Sequence, residues 1–128
     1  MIDIRADPYP SLGELTALWQ TVWGCAAPSD FSVIFLRSIG HVGAYAQGTL
    51  VGFVNVAWDG GEHASIFDVG VHPDHRRRGV ATAMVHEATR LARERGALWL
   101  HVDFHPNLSG FYRRCGFLPT EAGLMRLR

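Results

Sequence analysis

Apolar positions recur along the chain with two different periods, and each change of period marks an element. Residues 2–5 alternate apolar and polar, as a short strand does, until Pro8, Pro10 and Ser11 break the run. From Leu12 to Trp23 the period is helical: Leu12, Leu15, Leu18, Trp19, Val22 and Trp23 share a side, and Ser11 stands as the N-cap. Gly24 and Pro28 end that helix. Ser29 or Asp30 opens a second one over residues 31–39, with Gly40 just past its end. The period then drops to that of strands. Runs at 42–46 and 49–58 flank a Gln47–Gly48 turn, residues 59–61 form the next turn, and Pro73 terminates a run at 64–71. Three strands joined by tight turns predict an antiparallel meander.

Beyond Gly79 the helical period returns. Ala81, Met84, Val85, Ala88, Leu91 and Ala92 fall on one face, with Glu87, Arg90, Arg93 and Glu94 opposite. Gly96 stops this helix, and a strand at 98–104 follows, parallel to its predecessor if the helix is a crossover. A short helix at 107–115 ends at Gly116, and residues 117–118 and 124–127 predict a closing pair of strands. The expected order is β-α-α-β-β-β-α-β-α-β-β. It describes one α/β domain with a mixed sheet over residues 1–128, without internal repeat or linker.

Composition agrees with one compact domain. The chain has 128 residues, 48% of them apolar, enough to expect a real core. Twelve basic residues balance twelve acidic ones, which gives no electrostatic reason to expect nucleic acid as a partner. Cys25 and Cys115 show neither CxxC nor Cys/His ligand spacing, so no metal site is expected. Residues 1–10 lack the apolar stretch of a signal peptide, and no run reaches membrane-spanning length, so a reduced, cytoplasmic home without membrane contact is expected.

Charge is concentrated in one place. Arg76, Arg77 and Arg78 stand in a row after His72 and His75. Such a run is either a solvated turn or a site for a small polyanion. Its setting favours the second: it lies between the end of a strand and the start of a helix. The first N–H groups of a helix lack internal partners and carry partial positive charge, which makes a ready anion site. Gly79, without a Cβ, lets a ligand approach the backbone, and small Ala81 and Thr82 follow it.

Arg76-x-x-Gly79-x-Ala81 resembles the Arg/Gln-x-x-Gly-x-Gly/Ala signature of the GNAT superfamily of N-acetyltransferases. Its surroundings strengthen the resemblance: a Val69-Gly-Val71-His-Pro73 strand end before it and an amphipathic helix after it. Thirty residues on, Tyr112-x-x-x-Gly116-Phe117 looks like the family's Tyr-x-x-x-Gly-Phe element, and the element order also matches. The resemblance implies that the strand at 64–71 and the strand at 98–104 splay apart. It implies that coenzyme A lies in the gap, its pantetheine arm along the backbone of Val69, Gly70 and Val71 as a pseudo-strand. The phosphates would meet Arg76, Arg77, Arg78, Gly79, Val80, Ala81 and Thr82. Val69 N–H would polarise the thioester carbonyl. Tyr112 would protonate the leaving thiolate; the alternative is an aromatic packed against the sheet.

The chain departs from the family in two places. His105 stands where relatives often carry Asn seven residues before that Tyr, and it is included as a cofactor contact at that position. Ser65 and Phe67 stand where relatives often carry a general base, and neither can serve. Asp68 is ionisable, but strict strand alternation turns it away from the face of Phe67 and Val69. His101 and Asp103 share a face of the partner strand. Asp103 is therefore the expected base or amine-orienting residue, with turn hydrogen bonding or a water relay as alternatives. Trp19, Trp23, Phe31 and Phe35 read mostly as core, with one or two available as an acceptor wall. His72 reads as a loop tie.

These features imply transfer of an acetyl group from acetyl-CoA to a primary amine of a small molecule or peptide. The alternative is a non-catalytic acyl-CoA-binding module. A P-loop or dinucleotide site is disfavoured, because neither a Gly-Lys-Ser/Thr ending nor a three-glycine fingerprint is present. The closing strands are candidates for pairing in a homodimer.

Overall fold

The computed structural model describes residues 1–128. Strand β1 (Ile2–Ala6) leads into helix α1 (Leu12–Trp23) and the short helix α2 (Phe31–Leu36). Strands β2 (Ser38–Ala46), β3 (Thr49–Trp58) and β4 (His63–Val71) form the meander. Helix α3 (Val80–Glu94) crosses over to β5 (Trp99–Val102), and α4 (Ser109–Arg114) follows. The sheet order is β1-β2-β3-β4-β5, antiparallel except for the parallel β4–β5 pair.

Each helix starts for a local reason. Ser11 caps α1 in a full capping box with Glu14, and Gly24 closes it in the left-handed region, its N–H on Gln20 O. Asp30 caps α2 through Ser32 N. The two helix layers bury opposite faces of the sheet. On one face, Val80, Met84, Val85, Ala88, Leu91 and Ala92 of α3 pack on Val42, Ala44, Val51, Val54, Val56, Ala64 and Ile66. On the other, Leu15, Leu18 and Trp19 of α1 and Phe31 of α2 pack on Tyr45, Leu50 and Phe53. Each large apolar side chain so buried contributes roughly 1.5–3 kcal/mol.

Several boundaries differ from the sequence expectation. Helix α2 stops at Leu36 rather than residue 39, and β2 begins at Ser38 rather than 42. The Arg37 N–H bonds back to Ile34 O, and the Ser38 hydroxyl sits 2.8 Å from Ile34 O. Ile39 is thereby turned into the sheet core. Strand β5 keeps only four residues, so Asp103 and Phe104 lie beyond the sheet. The closing strands at 117–118 and 124–127 are absent. Phe117 returns to the core, its N–H on Tyr112 O, but Leu118, Leu124 and Leu127 are almost fully exposed. Pro119 removes a ladder donor and the first run is two residues long, so no ladder with β5 forms. The outer edge of β5 is left unpaired. No helix is long and apolar enough to cross a membrane.

Candidate active site

β4 and β5 share four rungs, from His63 opposite Trp99 to Ile66 opposite Val102. β4 then runs on to Val71 while β5 has ended, and the gap between them opens the expected splay. A β-bulge lies at the point of departure. Asn55 pairs with Phe67 and Phe53 with Gly70, so two residues of β4 oppose one of β3, and Asp68 adopts φ 59°. The bulge reverses the parity of the strand. Ala64 and Ile66 face α3 before it, and Val69 and Val71 do so after it. The expectation that Phe67 and Val69 share a face is therefore corrected, because strict alternation fails at Asp68.

The loop after β4 is built from its own residues. His72 N–H donates to Val51 O at 2.7 Å, and His72 Nδ1 accepts from Asp74 N–H at 3.1 Å, at the start of a single 3-10 turn, Pro73–His75. His72 is thus a loop tie. Arg76 Nε donates to Val71 O at 3.1 Å, folding that guanidinium over the strand end. Arg77 adopts φ 61° and Gly79 φ 77°, and Gly79 is the N-cap of α3. The positive φ favours glycine there, and a Cβ at that point would meet nothing within 4 Å. No side chain caps α3, and its first turn carries no acidic residue. Ala83 N–H is the first to bond back, to Gly79 O at 3.0 Å, which leaves the preceding N–H groups available to an anion.

The splay and this helix start open into one cleft of about 570 Å³. Val69, Gly70 and Val71 form its floor, and Arg76, Arg77, Gly79, Ala81 and Thr82 its cationic end. Leu108, Phe111, Tyr112 and Arg114 form the α4 wall, and Val22 and Trp23 close the α1 side. Tyr112 is buried, its ring stacked on Phe104 at 4.7 Å and edge-on to Phe111 and Phe117. Burial, and secondarily Cys115, raise its pKa, so the phenol stays protonated.

The cleft gathers most of the expected residues. Arg78, Val80, Asp103 and His105 are outside its lining. Val80 is buried in the core, and its side chain anchors the first turn of α3. His105 is exposed, and its carbonyl accepts from Leu108 N–H at 2.9 Å. Asp103 follows β5 directly and is exposed. Asp68, set aside on alternation, sits just beyond the last β4–β5 rung; the residue is exposed, as Asp103 is, yet desolvation of its carboxyl raises its pKa. His63 Nδ1 and His101 Nε2 lie 2.7 Å apart on the exposed face of these strands. Trp19 and Phe31 are core, whereas Trp23 reaches the cleft. His75 also lines it, and its Nδ1 is buried without a hydrogen-bond partner. Phe35 lines a smaller groove of about 310 Å³ between α1 and α2.

His75, Leu108, Phe111 and Arg114 were not singled out from sequence. The signal for the last three was the i, i+3 spacing around Tyr112; for His75 there was none. No cluster of three or more His, Cys, Asp or Glu side chains is placed to hold a metal ion.

A mixed sheet with a splayed parallel pair and a Gly-capped crossover helix at the gap frames the cleft. The profile of the Acetyltransferase (GNAT) family matches residues 2–117, and the chain belongs to that family. It is 32% identical over 118 residues to a mycothiol acetyltransferase of Nocardia farcinica, covering 90% of this chain and 38% of that protein. It is 40% identical over 78 residues to a streptothricin acetyltransferase of Streptomyces lavendulae, covering 56% of this chain and 40% of that protein. The chain spans 25% to 45% of the length of the curated relatives it matches. A GNAT family acetyltransferase of Streptococcus pneumoniae superimposes over the full length of both chains with TM-score 0.81 at 20% identity. An aminoglycoside N-acetyltransferase solved with CoA superimposes with TM-score 0.77 at 21% identity, covering all of this chain and 95% of that one.

Proposed function

We propose that the protein transfers an acetyl group from acetyl-CoA to a primary amine of a small molecule or peptide. The observation that carries this reading is the cleft: uncapped α3 N–H groups and Arg76–Arg77 at one end, a strand with one open edge along its floor, and a buried phenol on its wall. These residues fit the donor. Gly79, Ala81 and Thr82 leave the helix start open to a pyrophosphate, with charge from Arg76 and Arg77 and, at the rim, Arg78. The β5-side edge of Val69–Val71, which no strand covers, offers backbone partners to the pantetheine arm.

Acetyl-CoA supplies the activated acyl carbon. The amine nitrogen forms the new C–N bond to that carbon as the C–S bond breaks. Val69 N–H steadies the developing oxyanion. Tyr112 gives its hydroxyl proton to the leaving sulfur and regains one from solvent. The proton lost by the amine passes to a carboxylate beside the splay, directly or through water. Asp68 and Asp103 both lie just past the last β4–β5 rung. What supports Asp68 is its raised proton affinity. The outer edge of β5, with Leu98 and Trp99 exposed beside it, supports pairing with a second copy as the homodimer contact.

The test is CoA release from acetyl-CoA across a panel of primary amines. Amine-dependent release is expected. Tight CoA binding with no release for any amine would favour a binding module over an enzyme.

A further inference from the structure

The two long walls of the cleft differ in kind. The α3 end is charge and backbone amide, whereas the α1 side is Val22 and Trp23. The α1 wall meets the floor at Gly70. A Cβ there would lie 2.7 Å from Trp23 Cη2 and 3.1 Å from both Trp23 Cζ2 and Val22 Cγ1. The indole therefore rests on bare strand backbone, and any side chain at this position would displace it. The bulge at Asp68 makes this contact possible. It sends the side chains of Val69 and Val71 toward α3 and turns Gly70 toward α1.

Trp23 is also backed from behind. Its ring lies 4.5 Å from that of Trp19, which is buried against Phe31 at 5.4 Å and Phe53 at 6.2 Å. Even so, Trp23 is 41% exposed, and it lines the cleft. A rigid aromatic wall with a packed support cannot yield as a flexible aliphatic one would.

We propose that Trp23 is a specificity-determining residue that restricts the acyl group of the donor to a short chain. This rests on the acyl-CoA reading above. A donor anchored at Gly79–Thr82 with its arm along Val69–Val71 carries its acyl end onto the floor where Trp23 seats against Gly70. With the thioester carbonyl at Val69 N–H, beside that seat, a longer acyl chain is expected to meet the indole where an acetyl methyl does not. A single methylene in a fitted apolar pocket already changes discrimination by about 10- to 200-fold.

The experiment is calorimetric titration of the full chain, wild type and Trp23→Ala, with CoA, acetyl-CoA and butyryl-CoA. The wild type is expected to bind CoA and acetyl-CoA alike and butyryl-CoA about tenfold more weakly. Trp23→Ala is expected to bring butyryl-CoA level with acetyl-CoA, whatever the change in affinity common to all three ligands. Equal wild-type affinity for acetyl- and butyryl-CoA, or the same ratio in the variant, overturns the proposal and leaves the donor reading standing. Failure of the wild type to bind CoA at all overturns both. If Trp23→Ala does not fold, Trp23→Phe replaces it, with a ratio between the other two expected and an unchanged ratio overturning the proposal.

Discussion

His41 makes the stability of this fold depend on pH in a way that the structure quantifies. It is 1% exposed, stacked on Phe35 at 4.2 Å and edge-on to Tyr9 at 4.7 Å. Its Nε2 accepts from Tyr9 N–H at 2.9 Å, so the neutral imidazole is the form that the fold uses. Two charged groups face it. Asp7 Oδ1 lies 3.5 Å from Nδ1, and Arg95 bonds Asp7 Oδ2 at 2.7 Å and Ile39 O at 2.9 Å. Burial dominates: it lowers the His41 pKa to about 4, with Asp7 opposing and Arg95 assisting. The unfolded chain binds this proton near the ordinary value of 6.5. The neutral form thus contributes stability that is fully present above pH 6.5 and is lost as pH falls toward 4. Linkage gives a loss of about 2 kcal/mol by pH 5 and about 3 kcal/mol by pH 4. Urea unfolding at pH 7, 6, 5 and 4 measures it, and His41→Gln serves as the reference that cancels other titrating groups. Asp68 is one such group, with opposite sign, because its raised pKa adds stability as pH falls. A wild-type-minus-variant difference that stays flat from pH 7 to 4, or an NMR titration placing His41 near 6.5, would refute the argument.

Three further outcomes are expected. Tyr112→Phe keeps the buried ring and its stacking on Phe104 but removes the acid, so turnover should fall about 100-fold with CoA affinity little changed; unchanged turnover would sink the acid role. Asp68→Asn should lower kcat/KM about tenfold or more, while Asp103→Asn has a smaller effect; the reverse order would return the base role to Asp103. Leu91→Ala removes a side chain buried between α3 and the sheet and should cost about 2–5 kcal/mol in denaturant unfolding, whereas Arg93→Ala on the opposite face should be nearly neutral.

Most of the fold was legible because helical and strand periods are written plainly in this chain. Helix α3 is the clearest case: its six expected core residues all pack in the interface, five of them buried and Ala81, which also lines the cleft, partly so. The open helix start at Gly79 was legible because glycine, small residues and a basic run coincide there. Other features were not. The bulge at Asp68 has no local signature, since a single non-glycine residue at positive φ is set by the pairing of β3 with β4. It alone decides which face Val69 and Gly70 present. The closing strands were read from apolar residues that do not in fact find a partner, and burial of Leu118 or Leu124 is a tertiary property. The α1 side of the cleft depends on how Trp23 meets Gly70 across forty-six residues of sequence, which no window along the chain reports.

The central claim is that the start of α3 holds the phosphates of an acyl-CoA. Thr82→Glu tests it directly, because a carboxylate in the first turn of α3 favours the helix while occupying the anion site. Titration of wild-type chain with CoA should give one-to-one binding that weakens with salt, and the variant should melt no lower yet bind at least about tenfold more weakly. Equal CoA affinity in the two proteins would contradict the account.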